Sequence, residues 1–199
     1  MVEIVSVGIL GIQGAISEHV NSVMNAFKDK KIHGRTCVVK QKKELDEVEA
    51  LIIPGGESTT ILKVLHQSGL YDAIVQRVED HSISIMGTCA GCVLLAKEIA
   101  DKGYEIKPLQ LMDIQVERNA FGRQKESFEK NIIIKDFSNP YGAVFIRAPV
   151  ITKVWGNCEI LAKIDKKIIA ARQDKFLALS FHPELTNDFR IHKYFLDMI

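Results

Sequence analysis

Four short apolar runs limit what this chain can fold into. Val2 to Ile9, Cys37 to Lys40, Ala50 to Ile53 and the stretch from Ile83 to Met86 are rich in β-branched residues with little polar interruption. A strand with one wet face alternates; a strand without alternation is buried on both sides. Segments with the spacing of amphipathic helices follow these runs: Ser17 to Phe27, Glu44 to Val48, Ile61 to Gln67 and Leu70 to Val78. This alternation predicts an α/β protein, a mostly parallel central sheet with helices on both faces.

After Gly103 the texture changes. Leu111 to Glu117 alternates like an antiparallel or edge strand, and Arg118 to Gln124 is a polar loop. Asn131 to Ile134 and Ala143 to Pro149 read as strands, Pro149 making the end of the second an edge or an exit. Cys158 to Ile164, Lys167 to Arg172 and Phe176 to Phe181 are short strands, and Asn187 to Ile199 is a closing helix. The expectation is a single domain over residues 1–199, without repeats, with antiparallel strands confined to the C-terminal half.

Charge excludes several classes of partner. The formal net charge is +1, and the lysines between Lys28 and Lys43 are interrupted by acids and apolar residues. They read as solvated surface, so no nucleic-acid partner is expected. The first ten residues lack the basic start and small-residue cleavage site of a signal peptide, and no apolar run reaches spanning length, so neither export nor a membrane is expected. The four cysteines form no disulfide framework. Cys89 and Cys92 make a C-x-x-C, but no second ligand pair stands by for a metal. A reduced, cytoplasmic setting without metal is the expectation.

Two stretches carry chemistry. In Gly87-Thr88-Cys89-Ala90-Gly91 a buried strand meets an apolar helix through a tight turn, the thiol counterpart of the G-x-S-x-G nucleophile elbow. Glycines on either side of the nucleophile let backbones approach closely. The sulfur projects at a helix N-terminus, which favours a thiolate, and the Ala90 N–H is left for a developing oxyanion. In Ser180-Phe181-His182-Pro183-Glu184-Leu185, proline disfavours helix for the residue before it. An extended piece turns positions two apart the same way, so Glu184 is placed to orient His182. The other histidines (His19, His33, His66, His81, His192) have no comparable setting in the sequence.

Two glycine turns accompany these stretches. Pro54-Gly55-Gly56-Glu57-Ser58 leads into a helix, and beside a cysteine elbow its N–H groups become a second half of an oxyanion hole. Gly8, Gly11 and Gly14 follow the first strand at G-x-x-G-x-x-G spacing, not the G-x-G-x-x-G of dinucleotide sites.

Taken with Gly8 to Gly14, Glu117 to Gln124 and Val144 to Pro149, these motifs resemble the class I, triad-type glutamine amidotransferases over nearly the whole chain. More narrowly they resemble the glutaminase subunits of pyridoxal 5′-phosphate synthases, the PdxT group; Arg118 to Gln124 and Phe145-Ile146-Arg147-Ala148-Pro149 single out that branch. Cys92 stands where a larger aliphatic residue is more usual. The resemblance implies a flavodoxin-like fold and hydrolysis of L-glutamine to L-glutamate and ammonia. Cys89, His182 and Glu184 would be catalytic; Ala90, Gly55 and Gly56 would hold the oxyanion. Gly56, Glu57, Ser58, Arg118, Ile146 and Arg147 would bind substrate, with either arginine open to the glutamine α-carboxylate. No cofactor is implied. The implied partner is a (β/α)₈-barrel PdxS synthase subunit that receives the ammonia; the Gly11-to-Gly14 and Gly55-Gly56 turns are our own expectation for its docking face.

Overall fold

The computed structural model describes residues 4–101, 107–118, 120 and 127–199. In chain order its elements are β1 (Val5–Leu10), α1 (Ile16–Lys30), β2 (Gly34–Val39), α2 (Lys42–Leu45), β3 (Ala50–Ile53), α3 (Ser58–Ser68), α4 (Leu70–Glu79), β4 (Ser84–Thr88), α5 (Ala90–Leu95), β5 (Ala96–Ile99), β6 (Met112–Glu117), β7 (Ser127–Ile132), β8 (Tyr141–Ile146), β9 (Val150–Val154), β10 (Glu159–Ile164), β11 (Lys167–Gln173), β12 (Phe176–Leu179), a 3₁₀ turn (Pro183–Leu185) and α6 (Arg190–Leu196).

The main sheet runs β2-β1-β3-β4-β12-β11-β9-β6-β5, with β10 added on β11; β7 and β8 form a separate hairpin. From β2 to β12 every neighbour is parallel. Beyond β12, the β12–β11, β11–β9 and β9–β6 pairings are antiparallel, and the last pairing, β6–β5, is parallel again. This is the α/β class with antiparallel strands in the C-terminal half, as the alternation and then the change of texture predict.

The non-alternating strands feed two cores at once. Val7 and Ile9, Ala50 and Ile52, and Leu177 and Leu179 pack on the face covered by α1 and α6, with Phe27 and Phe195. Leu51 and Ile53, Ile85 and Ala178 face the other way, onto α3, α4 and α5 through Ile61, Leu62, Leu65, Ile74 and Val93. Successive residues of a strand point to opposite faces, so a strand with helices on both sides is apolar throughout. The helices present the matching stripe: His19, Ser22, Val23, Ala26 and Phe27 of α1 are buried at i, i+3, i+4, i+7 and i+8 spacing.

Several element boundaries differ from the sequence reading. The apolar run after Cys89 is only six residues of helix, and the chain passes from Leu95 into β5 without a turn. Val150–Val154 is a strand pairing with β6, so Pro149 marks a corner and not an exit. The strand expected at Asn131 to Ile134 instead spans Ser127–Ile132, set by its register against β8. The closing helix starts at Arg190, not Asn187, because the Asp188 carboxylate accepts the Arg190 backbone N–H at 3.1 Å and stops the turn there.

Because β1, β3, β4 and β12 are parallel, their carboxyl ends share one edge. That edge receives the Gly11-to-Gly14 turn, the Pro54-to-Glu57 turn, Cys89 and the Ser180-to-Glu184 stretch, and it is where α/β sheets bind ligands. The residues expected at the polar loop, Asn119 and Phe121 to Gln124, lie outside those described. Among the described residues no helix is long and apolar enough to cross a membrane.

Candidate active site

Cys89 stands between the last residue of β4 and the first of α5, with φ 52° and ψ −107°. A non-glycine residue held there costs about 1–3 kcal/mol, so the surroundings must impose it. They do so by close packing. A Cβ on Gly91 would lie 2.1 Å from the Ile53 carbonyl oxygen, and one on Gly87 would lie 2.4 Å from the Gly91 oxygen. Only glycines let the strand, the turn and the start of α5 sit this close. The Cys89 N–H donates to the Leu179 carbonyl at 2.8 Å, which ties the elbow to the strand that delivers His182.

The His182 backbone N–H donates to the Val144 carbonyl at 2.8 Å, and its ring Nδ1 lies 2.7 Å from Glu184 Oε1. The segment is a 3₁₀ turn capped by His182, not the extended piece that Pro183 suggests. Proline at the first helical position is well tolerated, since its missing N–H has no acceptor there anyway. The turn places the carboxylate under the imidazole, which an extended chain was expected to do by another route.

An ionised carboxylate only accepts, so His182 Nδ1 carries a hydrogen toward Glu184. Nε2 is buried and makes no hydrogen bond among the described residues; the Cys89 Sγ has the Ile146 carbonyl at 3.7 Å as its acceptor. Gly55 lies against both groups: a Cβ there would come within 2.6 Å of the His182 ring and 3.3 Å of the Cys89 Cβ. Burial works against a charged His182, but Cys89 and Glu184 outweigh it and push the imidazole up to about 10. Burial also opposes the charge on Glu184, yet the hydrogen bond from His182 helps hold its carboxyl below the usual range. A histidine held charged by a carboxylate beside a cysteine is what nucleophilic cysteine chemistry needs.

A cleft of about 400 Å³ opens over the sulfur, lined by Gly56, Glu57, Ser58, Arg118, Ile146 and Arg147, with Cys89, Ala90 and His182 at its floor. The structure thus brings together every residue expected around the substrate; Gly55 lies just beneath. Ala90 opens α5, where a backbone N–H has no intrahelical acceptor. The Thr59 and Thr60 hydroxyls hold the Glu57 carboxylate, and they keep it below the usual range. Arg118 is anchored by Asp101, which accepts its backbone N–H at 3.0 Å and faces its guanidinium at 3.6 Å. Gln13 Oε1 accepts the Glu57 N–H at 2.7 Å, so the first glycine turn buttresses the second.

Residues 9–199 match the model of the SNO glutamine amidotransferase family. The chain belongs to this family. It is 50% identical over 194 residues to the pyridoxal 5′-phosphate synthase subunit PdxT of Brevibacillus brevis, covering 97% of this chain and 96% of that protein. It is 43% identical over 201 residues to the PdxT subunit of Staphylothermus marinus, covering 97% and 98%. A crystal structure of a glutamine amidotransferase, 44% identical, superposes with a TM-score of 0.85 over 96% of this chain and 97% of the other. A Thermotoga maritima glutamine amidotransferase, 14% identical, shares the fold with a TM-score of 0.61.

This SNO amidotransferase also holds groups that the sequence reading passed over. His19 and His192 were expected to have no special setting. Both are buried in the structure, His19 against Glu184 and His192 against His19. His19 Nε2 lies 3.3 Å from Glu184 Oε2 and 3.3 Å from Thr88 Oγ1, and His19 Nδ1 is 3.4 Å from His192 Nε2. One signal was available: His19 occupies the apolar stripe of α1, where a histidine needs a partner. Cys92 is wholly buried, and burial pushes its thiol up, which suits packing and not redox exchange with Cys89.

Proposed function

We propose that this chain is the glutaminase subunit of a two-component pyridoxal 5′-phosphate synthase, with residues 1–199 forming a single amidotransferase domain. The observation that carries the reading is Cys89 beside a His182 that is oriented by Glu184 at 2.7 Å, at the floor of the cleft. The Cys89 thiolate attacks the side-chain amide carbon of L-glutamine. The N–H groups of Ala90 and of the Gly55-Gly56 turn receive the oxyanion, a role whose loss costs roughly 10²–10³ in rate per donor. The His182 imidazolium gives its proton to the departing ammonia, leaving a glutamyl thioester. His182, now neutral, takes a proton from water; hydroxide attacks the thioester, and L-glutamate and the thiolate are released. Glu57 suits the substrate α-ammonium, while Arg118 and Arg147 suit its α-carboxylate.

Ammonia released into water is protonated and lost, so the product passes to a PdxS-type synthase docked over the Gly11-to-Gly14 and Gly55-Gly56 turns. The contact between Gln13 and Glu57 supports that placement, since one partner touching either turn acts on both. The test is glutamate release with and without the synthase. Release is expected to rise with the synthase and to vanish in Cys89→Ala. Release indifferent to the synthase would remove the partner, and release by Cys89→Ala would remove the mechanism. Gln13→Ala is expected to weaken complex formation; unchanged docking and stimulation would take these turns out of the interface.

A further inference from the structure

Behind the proposed triad lies a continuous buried row of imidazoles, and the reaction as written uses none of it. Glu184 presents its two oxygens to different partners. Oε1 takes the His182 Nδ1–H. Oε2 is buried without an aligned hydrogen bond, and what faces it is His19 Nε2, both side chains being fully shielded from water. His19 is backed by His192, the two rings meeting edge-on with centroids 5.7 Å apart.

The proton positions in this row follow from chemistry. A carboxylate offers no proton, so a bare His19 Nε2 would set a lone pair against a negative oxygen; Nε2 therefore carries the hydrogen, within hydrogen-bond distance of Thr88 Oγ1 and with Glu184 Oε2 beside it at 3.3 Å. His19 Nδ1 is then an acceptor, and His192 Nε2–H is its donor. His192 Nδ1 is left bare, and it is a buried atom without a hydrogen-bond partner. Each ring dictates the tautomer of the next, and the series ends at the His182 Nδ1–H that Glu184 Oε1 accepts.

We propose that His19 is a positioning residue for the amidotransferase reaction: as a neutral Nε2–H donor it holds the second oxygen of Glu184, keeps that carboxylate ionised and aimed at His182, and is itself locked in that tautomer by His192. This rests on the reading of Cys89, His182 and Glu184 as the triad. Neutrality matters. A charged His19 would compete with His182 for Glu184 and make His182 a weaker base. The groups facing His19 are Glu184 and His182 from the turn, His192 from α6 and Glu18 from its own helix. Burial outweighs the carboxylates and holds His19 below the usual histidine range, and it brings His192 down to about 3.

The experiment compares wild type, His19→Leu and His19→Gln in complex with the synthase, following kcat, KM and the pH dependence of kcat/KM. Leucine fills the space without a donor, whereas glutamine returns an N–H near the position of Nε2. His19→Leu is expected to lose on the order of tenfold to a hundredfold in kcat, as for a lost hydrogen bond to a charged group. KM for glutamine should change less than about threefold, and the acid limb of kcat/KM should move up by about one pH unit as Glu184 becomes easier to protonate. His19→Gln is expected to recover most of kcat and the acid limb. Wild-type behaviour of His19→Leu, or equal losses in both variants, would overturn the proposal. Should His19→Leu not fold, ¹⁵N spectra of histidine-labelled wild type decide. A neutral Nε2–H ring that does not titrate between pH 5 and 8 supports the role, and an Nδ1–H ring or a titration in that window overturns it. An inactive wild-type complex would overturn the triad reading itself, an outcome distinct from an active wild type with an indifferent His19→Leu.

Discussion

At the scale of the residue, the charge state of His182 governs both chemistry and stability. Its folded value is raised to about 10 from 6.5. The stabilisation from its ion pairing is therefore present in full below about pH 6.5 and is lost as the pH climbs through about 10. Glu184 has the opposite sign: its lowered value contributes stability above the ordinary carboxylate range, and the contribution is lost as pH falls through its folded value. Between these limits the His182–Glu184 pair stays ionised. Glu184→Gln removes the charge supporting the imidazolium, so the alkaline limb of kcat/KM should move to lower pH by about one unit or more, and turnover should fall by about 10²–10⁴. A pH–rate profile of this variant checks both. An alkaline limb left in place would mean that Glu184 does not set the charge of His182.

At the scale of the element, the elbow works because three backbones pass within contact distance. Helix α5 spans only six residues, so it cannot hold Cys89 in place by its own hydrogen bonds. What holds it is the seat of Gly91 on the Ile53 carbonyl and the bond from Cys89 N–H to Leu179. Gly91→Ala is therefore expected to cost on the order of 3 kcal/mol, because the atom it meets is backbone and not a side chain that can swing away. It should also displace the thiol and lower glutamine turnover. Urea unfolding and the rate assay measure the two effects, and a variant of wild-type stability would show that the approach is not tight in solution.

Across the whole molecule, the last element closes the site from behind. Helix α6 packs on α1 over the sheet, with Phe195 wholly buried beside the α1 layer, and the Ser84 hydroxyl donates to the Met198 carbonyl at 3.0 Å. The same helix supplies His192. Phe195→Ala is expected to cost about 3–5 kcal/mol, as for other buried aromatic truncations. A calorimetric or denaturant measurement tests it, and a loss below about 1 kcal/mol would mean that this layer is not a single cooperative core. The family relatedness covers residues 9–199, so α6 falls within the matched region along with the elbow.

Much of this was legible before any tertiary structure. Non-alternating strands read as doubly covered because periodicity is a local property. The elbow glycines, the cysteine and the His-Pro-Glu stretch read as chemistry because short-range sterics and residue type are written in order along the chain. Boundaries were less legible where tertiary pairing decides them. Residues Val150–Val154 become a strand through β6, and after Leu95 the chain leaves its helix as Ala96 pairs with Met112. Proline at 183 allows both an extended piece and the first turn of a 3₁₀ helix, and only the fold selects the second. His19 and His192 are 173 positions apart, and no local pattern links them. That Glu184 stands between one histidine and two others, and which nitrogen carries each proton, is set by packing three distant elements into a space that water does not enter.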